Sequence, residues 1–202
     1  MKNLFVDGNR NGPAPIVTHN RMISGEKTRK KRGPPIGHKS RKFHNKSIQH
    51  HHLLLRMEMR DCPAAKDAKE AEILIRRIVN DIRMKMLDKP HVYYVKRPAY
   101  NEGLTAIVPI QTSHIAFHFW KRPETKILKS PKSRCLLEFD LYTCGALSGH
   151  QLRHVLHHLS HYGPTHVDLT VLNRKWSLSI DRHLKWSDQE GLSWAKWVDS
   201  IV

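Results

Sequence analysis

Residues 136–143 read Leu136-Leu137-Glu138-Phe139-Asp140-Leu141-Tyr142-Thr143. Successive side chains on a strand point to opposite faces. Leu137, Phe139 and Leu141 therefore share one face, and Glu138, Asp140, Tyr142 and then Cys144 the other. The apolar row calls for a covering layer. A row with two carboxylates, a phenol and a thiol suits the wall of a site, or else plain solvent. Upstream, residues 104–110 and 114–120 are also strand-like, and a polar loop with Pro123 and Pro131 precedes Leu136.

Further out the pattern continues. Order begins near His52, with residues 53–59 reading as a strand ended by Asp61-Cys62-Pro63. A helix is predicted from about residue 64 to 86, because Ala71, Ile75, Ile78, Val79, Ile82 and Met86 recur at helical spacing. Asp88-Lys89-Pro90 stops it, and residues 91–95 form another strand before the turn Tyr100-Asn101-Glu102-Gly103. Ser148, with Gln151 three residues on, is a capping box opening a second helix that Gly163-Pro164 closes. Leu152, Val155, Leu156 and Leu159 form its core face. A strand pair, 167–172 and 176–180, is expected around Asn173-Arg174-Lys175. A second capping signal, Ser187 to Glu190, leads to a short helix with Trp194, Trp197, Val198 and Ile201 on one stripe. Helices this sparse among consecutive strands predict an α+β fold: a two-layer sandwich, an antiparallel sheet with helices on one face.

The chain has 202 residues, enough for one domain with an appendage, and is 39% hydrophobic, which excludes wholesale disorder. No apolar run is long enough for a transmembrane helix, and no signal-peptide pattern stands at the N-terminus, so a cytoplasmic protein without membrane contact is expected. Three scattered cysteines make a disulfide framework unexpected and offer no CxxC zinc pair; a cysteine that matters is expected to act as a thiol. Lys and Arg number 35 against 18 Asp and Glu, a net +17. Residues 1–50 alone carry twelve Lys/Arg against Asp7 and Glu26, a net +10. With Gly12-Pro13, Pro15 and Gly33-Pro34-Pro35, residues 1–47 read as a disordered basic arm, either a solvated tail or a nucleic-acid contact. Residues 48–182 then form the folded domain, and 183–202 a Trp-rich C-terminal tail.

Several chemistries lack their motifs: there is no G-x-S-x-G elbow, phosphate-binding Gly-rich loop, dinucleotide fingerprint or H-E-x-x-H. On the second helix His150, His154, His157, His158 and His161 share the face opposite the core. Pairs four apart could share a metal. The sequence marks no further ligand, so the face reads as solvated and titrating, and no metal is assigned.

Two motifs remain: Thr112-Ser113-His114-Ile115-Ala116-Phe117-His118, and Asp140-Leu141-Tyr142-Thr143-Cys144-Gly145. Ser-His-x-x-x-His followed by Asp-x-x-Thr-Cys-Gly resembles the motif pair of the S-adenosylmethionine decarboxylases, pyruvoyl-dependent enzymes of polyamine synthesis. His52-Leu53-Leu54, the long first helix, Gly103-Leu104-Thr105-Ala106 and the Leu-rich helix after Gly145 occur in the matching order, so the resemblance covers roughly residues 50–180. It implies self-cleavage between Thr112 and Ser113, leaving a pyruvoyl cofactor derived from Ser113 that forms a Schiff base with the substrate. His118 and Thr105 are implied as processing residues and Cys144 as the acid that reprotonates the product carbon. The implied substrate is S-adenosylmethionine, decarboxylated to the aminopropyl donor for spermidine, and the implied assembly is a homodimer packed sheet against sheet. Thr112 stands where relatives have glutamate or lysine, and Lys121-Arg122 where an acidic residue is common, making the pocket more basic. Two other readings compete. One is an inactive or repurposed domain tethered to nucleic acid by its arm, and the other a pyruvoyl enzyme for a basic amino acid.

Overall fold

A computed structural model describes residues 49–111 and 113–201. The arm and its proposed nucleic-acid contact, and Thr112 of the expected cleavage bond, lie outside the described residues. Among the described residues seven strands form one sheet: β1 (His51–Met59), β2 (His91–Val95), β3 (Gly103–Ile110), β4 (Ser113–Trp120), β5 (Cys135–Thr143), β6 (Pro164–Asn173) and β7 (Ser179–Ser187). Their order is β2-β3-β4-β5-β1-β6-β7, and every pairing is antiparallel. Helices α1 (Ala68–Asp81) and α2 (Gly149–Leu159), with the short α3 (Trp194–Asp199), complete the α+β fold.

Alternation decides which face is covered. Leu53, Leu55, Met57, Ile115, Phe119, Leu137, Phe139, Leu141, Val167 and Leu169 are buried from successive strands and cluster with Ile75, Ile78 and Val79 of α1 and Leu152, Val155, Leu156 and Leu159 of α2. Burying apolar side chains of this size contributes about 1.5–3 kcal/mol each, which drives the two layers together. The alternate rows, including Glu138, Asp140 and Tyr142 of β5, lie on the uncovered face. α2 begins at the expected cap: Gln151 N–H donates to the Ser148 hydroxyl, and the Gln151 side chain accepts from Ser148 N–H at 2.9 Å. After α2 a short 3-10 turn, Ser160–Tyr162, ends on Gly163, whose φ of +59° is a left-handed conformation that favours glycine.

Four expectations need correcting. The first α-helix spans Ala68–Asp81, not 64–86: Ile82 and Arg83 close it, Arg83 having a φ of +56°. Met86, which continues the helical stripe in sequence, instead bridges Ile110 beside β3, where the backbone gains partners. The last strand is Ser179–Ser187 rather than 176–180, and Trp176 is 89% exposed in the preceding turn. An edge strand needs only one apolar row, here ending in Leu184 and Trp186, and its charged residues disguised it. Ser187 therefore ends a strand. The cap of α3 is Ser193, whose side chain accepts from Lys196 N–H. Finally, Cys62 and Cys135 are joined as a disulfide, with Cα atoms 5.6 Å apart, whereas Cys144 is free. The pairing of Met59 with Cys135 brings the end of β1 to the start of β5, and Cys62 lies three residues beyond.

Candidate functional site

β4 and β5 run antiparallel with Ser113 opposite Thr143 and His118 opposite Glu138. Ser113 thus heads β4 at the same end of the sheet as Cys144, which follows β5. β1 and β6 deliver His51 and Asn173 to that end too, because His51 pairs with both Thr143 and Asn173. Backbone bonds from Gln49 N–H to Cys144 C=O (3.0 Å) and from Arg174 N–H to His50 C=O (2.7 Å) fasten the three segments. Gly145 N–H donates to the Thr143 hydroxyl at 2.9 Å, and a side chain on Gly145 would strike Met84 at 2.5 Å.

The half-buried Cys144 thiol lies 3.5 Å from Nδ1 of His50, and the same nitrogen is 2.9 Å from the Tyr142 hydroxyl. The phenol of Tyr142 is raised above its usual range, first by burial and then by the neighbouring Cys144 thiol, with Arg174 acting the other way. The Arg174 guanidinium sits 4.4 Å from the Tyr142 ring centre. Beside this group, the Ser113 hydroxyl is 3.3 Å from Nδ1 of His114. Nε2 of His114 stands 3.3 Å from Asp140 Oδ1, and Asp140 Oδ2 accepts from His52 Nε2 at 2.9 Å. Arg174 Nη1 in turn donates to His52 Nδ1 at 3.2 Å.

Thr105 and His118 form a separate pair. They are directly opposed on β3 and β4, and the Thr105 hydroxyl is hydrogen-bonded to His118 Nδ1. The His118 ring packs on Trp120, with centres 4.0 Å apart. Burial holds its imidazole below the ordinary pKa, and its buried Nε2 has no hydrogen-bond partner. Five residues of strand separate Ser113 from His118, which at ~3.3 Å per residue is about 16 Å. The structure therefore brings Ser113 and Cys144 to one end and Thr105 and His118 to each other, but does not bring the two pairs together within one chain. Around Thr105 and His118 the open sheet face holds a cavity of about 650 Å³ lined also by Leu54, Arg56, Ile107, Ala116, Trp120, Glu138 and Asp140, among others, but not by Ser113 or Cys144. Lys121 and Arg122 do not simply add positive charge beside it. Both contact Glu102, at 3.0 and 3.5 Å, and Glu102 also accepts from the Tyr94 hydroxyl at 2.6 Å.

The histidine face of α2 is shared among several partners. His158 bonds Asp81 at 2.7 Å, His157 faces Asp199 at 3.3 Å, and His150 and His154 contact each other at 3.0 Å. Among the described residues no three His, Cys, Asp or Glu side chains gather as a metal site. No helix among them is long and apolar enough to cross a membrane. The sequence assigns no role to His50 or Arg174, and His114 and Asp140 enter only as motif members, Asp140 also as part of a wall. The available signal was the polar row on β5, but the rows it would meet come from strands distant in sequence.

No curated protein matches the chain. The family model described as S-adenosylmethionine decarboxylase matches residues 51–175, which spans β1 through β6 and includes Thr105, Ser113, His114, His118, Asp140 and Cys144. With well over half of its length matched, the chain belongs to the S-adenosylmethionine decarboxylase family.

Proposed function

We propose that this chain is a self-processing, pyruvoyl-dependent decarboxylase acting on S-adenosylmethionine. The observation that carries the reading is the meeting of Ser113 and Cys144 at one end of the sheet through the Ser113–Thr143 pairing. In processing, the Ser113 hydroxyl attacks the carbonyl carbon of Thr112 and the peptide C–N bond breaks, leaving an ester and a free Ser113 amine. Removal of the Ser113 α-proton expels the Thr112 carboxylate. Hydrolysis of the resulting enamine releases ammonia and leaves a pyruvoyl group on residues 113–202. The donor set fits that group, because the residue that would form it heads β4 at the sheet end where β5 runs into the free thiol of Cys144. Once formed, its ketone supplies the electron sink for decarboxylation. Cys144 would return a proton to the product carbon; that His50 Nδ1 lies 3.5 Å from its sulfur supports this role.

His118 has the properties of the base for the α-proton. Burial favours its neutral form, and with Nδ1–H given to the Thr105 hydroxyl, the unpartnered Nε2 keeps its lone pair. About 16 Å of strand puts it out of reach of Ser113 in its own chain. The reading is completed by a homodimer packed through the open sheet faces, in which His118 of one protomer serves Ser113 of its partner. Apolar side chains left on that face, Leu54 at 39% and Ile107 at 46% exposure, favour such burial.

Intact mass of the purified protein, beside a Ser113→Ala control, tests the processing. The expected result is two fragments dividing at Thr112–Ser113, the second lighter by one ammonia than a peptide beginning with serine. A single wild-type chain would remove the enzyme reading. Co-expression of Ser113→Ala with His118→Ala chains tests the exchange between protomers, with cleavage expected in the His118→Ala chain only when the other is present. Carbon dioxide release from S-adenosylmethionine, compared with ornithine and arginine, assigns the substrate.

A further inference from the structure

We propose that His114, held by Asp140, is the base that deprotonates the Ser113 hydroxyl for the acyl shift, a step distinct from the α-proton removal assigned to His118. This rests on the self-processing reading above and divides its two proton transfers between two histidines.

Bond polarity along the chain of contacts is set from its ends. Arg174 can only donate, so His52 must accept at Nδ1 and carry its proton on Nε2. That Nε2–H is donated to Asp140 Oδ2, and the carboxylate can only accept. The remaining oxygen, Oδ1, is buried and makes no hydrogen bond, and 3.3 Å away stands Nε2 of His114. A carboxylate at that distance favours the tautomer with hydrogen on Nε2, which leaves a lone pair on Nδ1, the nitrogen 3.3 Å from the Ser113 hydroxyl. Every group thus has one consistent role, and the arrangement has the logic of a nucleophilic serine, a histidine base and an orienting carboxylate. His114 touches the reacting oxygen, whereas Asp140 and His52 are positioning residues.

The proton balance follows. His114 Nδ1 takes the Ser113 Oγ proton as Oγ bonds to the carbonyl carbon of Thr112, and the imidazolium that forms is stabilised by Asp140. As the C–N bond breaks, the same imidazolium returns the proton to the departing Ser113 nitrogen, so His114 ends neutral. No outside reagent is required. His118, about 16 Å along the strand, cannot take this part in its own chain.

The assignment separates from its competitors because the ester between the two steps is labile to hydroxylamine. A block after the acyl shift accumulates ester, whereas a block at the shift accumulates none. In His118→Ala protein, hydroxylamine is expected to cut the chain at residue 112. In His114→Ala protein it is expected to cut nothing, and the chain stays whole. The His114 side chain is 42% exposed, so added imidazole can reach the vacated position and is expected to restore cleavage. Asp140→Asn, which keeps the shape but loses the charge, is expected to slow ester formation tenfold or more while thermal unfolding shows a folded protein. Should His114→Ala not fold, His114→Gln is read by the same hydroxylamine assay. Wild-type-like cleavage, or hydroxylamine-labile ester, in a folded His114 variant overturns the proposal and leaves the processing reading standing. A wild-type chain that neither cleaves nor forms ester overturns both.

Discussion

Replacing Glu58 by glutamine changes one atom in a fully buried side chain and is expected to destabilise the domain by about 2–4 kcal/mol. The carboxylate accepts from Arg56 Nη1 (2.9 Å), Lys129 N–H (2.9 Å to each oxygen), Ser130 N–H (3.0 Å) and the Ser133 hydroxyl (2.8 Å). A glutamine turns half of that acceptor into a donor. With its oxygen at the Oε2 position the glutamine keeps Lys129, Ser130 and Ser133, but its buried amide nitrogen then faces Arg56 Nη1, donor against donor, while Arg56 retains Ile127 C=O. One or two stranded donors at ~1–3 kcal/mol each set the estimate, and at ~2–4 °C per kcal/mol the melting temperature should fall by about 4–16 °C. Burial raises the Glu58 pKa, but the bonds from Arg56, Ser130, Lys129 and Ser133 together outweigh it, so the net shift is downward. The folded protein therefore binds that proton less readily than the unfolded chain. Its stabilisation is complete above the ordinary value of 4.5 and is lost as pH falls through the depressed one. Thermal unfolding of both proteins at pH 7 and through the acid range is the assay. A difference within about 0.5 kcal/mol at neutral pH, or one that persists undiminished in acid, would refute the account.

Thr105→Val removes the hydroxyl from His118 Nδ1 at nearly constant shape, and should slow processing about tenfold, for roughly 1.4 kcal/mol of lost orientation; a time course of chain cleavage at unchanged melting temperature measures it. Because burial lowers the His118 pKa, its neutral form persists as pH drops below 6.5, so the pH midpoint of processing should lie under that value; a midpoint above 6.5 contradicts His118 as the titrating base. Trp197→Ala should cost about 3–5 kcal/mol in denaturant unfolding. Trp197 is 8% exposed within a cluster with Trp186 and Trp194, and an unchanged midpoint would mean α3 is not part of the cooperative unit.

The features legible in the sequence are those whose physical cause is local. A strand's two-residue period sorts Leu137, Phe139 and Leu141 from Glu138, Asp140 and Tyr142 without reference to any partner, and the Ser148–Gln151 cap closes within four residues. The same reasoning failed where the partner was remote. Met86 continues a helical stripe yet lies beside Ile110, the charged residues of β7 hide an edge strand, and the Cys62–Cys135 bond spans 73 residues. Motif resemblance singled out Thr105, Ser113, His118 and Cys144 as a set, but spacing along the chain carries no distance between them.

What the sequence determined by itself is the two-layer α+β architecture, the family, and the chemical types of the candidate residues, because alternation, capping and motif order are properties of neighbouring residues. Tertiary structure decided their grouping. The order β4-β5-β1-β6 places His114, Asp140, His52 and Arg174 side by side from segments up to 122 residues apart, and the antiparallel register sets Thr105 on His118 while a stiff strand holds both away from Ser113. Strand order is chosen by the burial of one whole apolar face against α1 and α2, a sum over many residues. The polar row on the reverse face is arranged as its consequence.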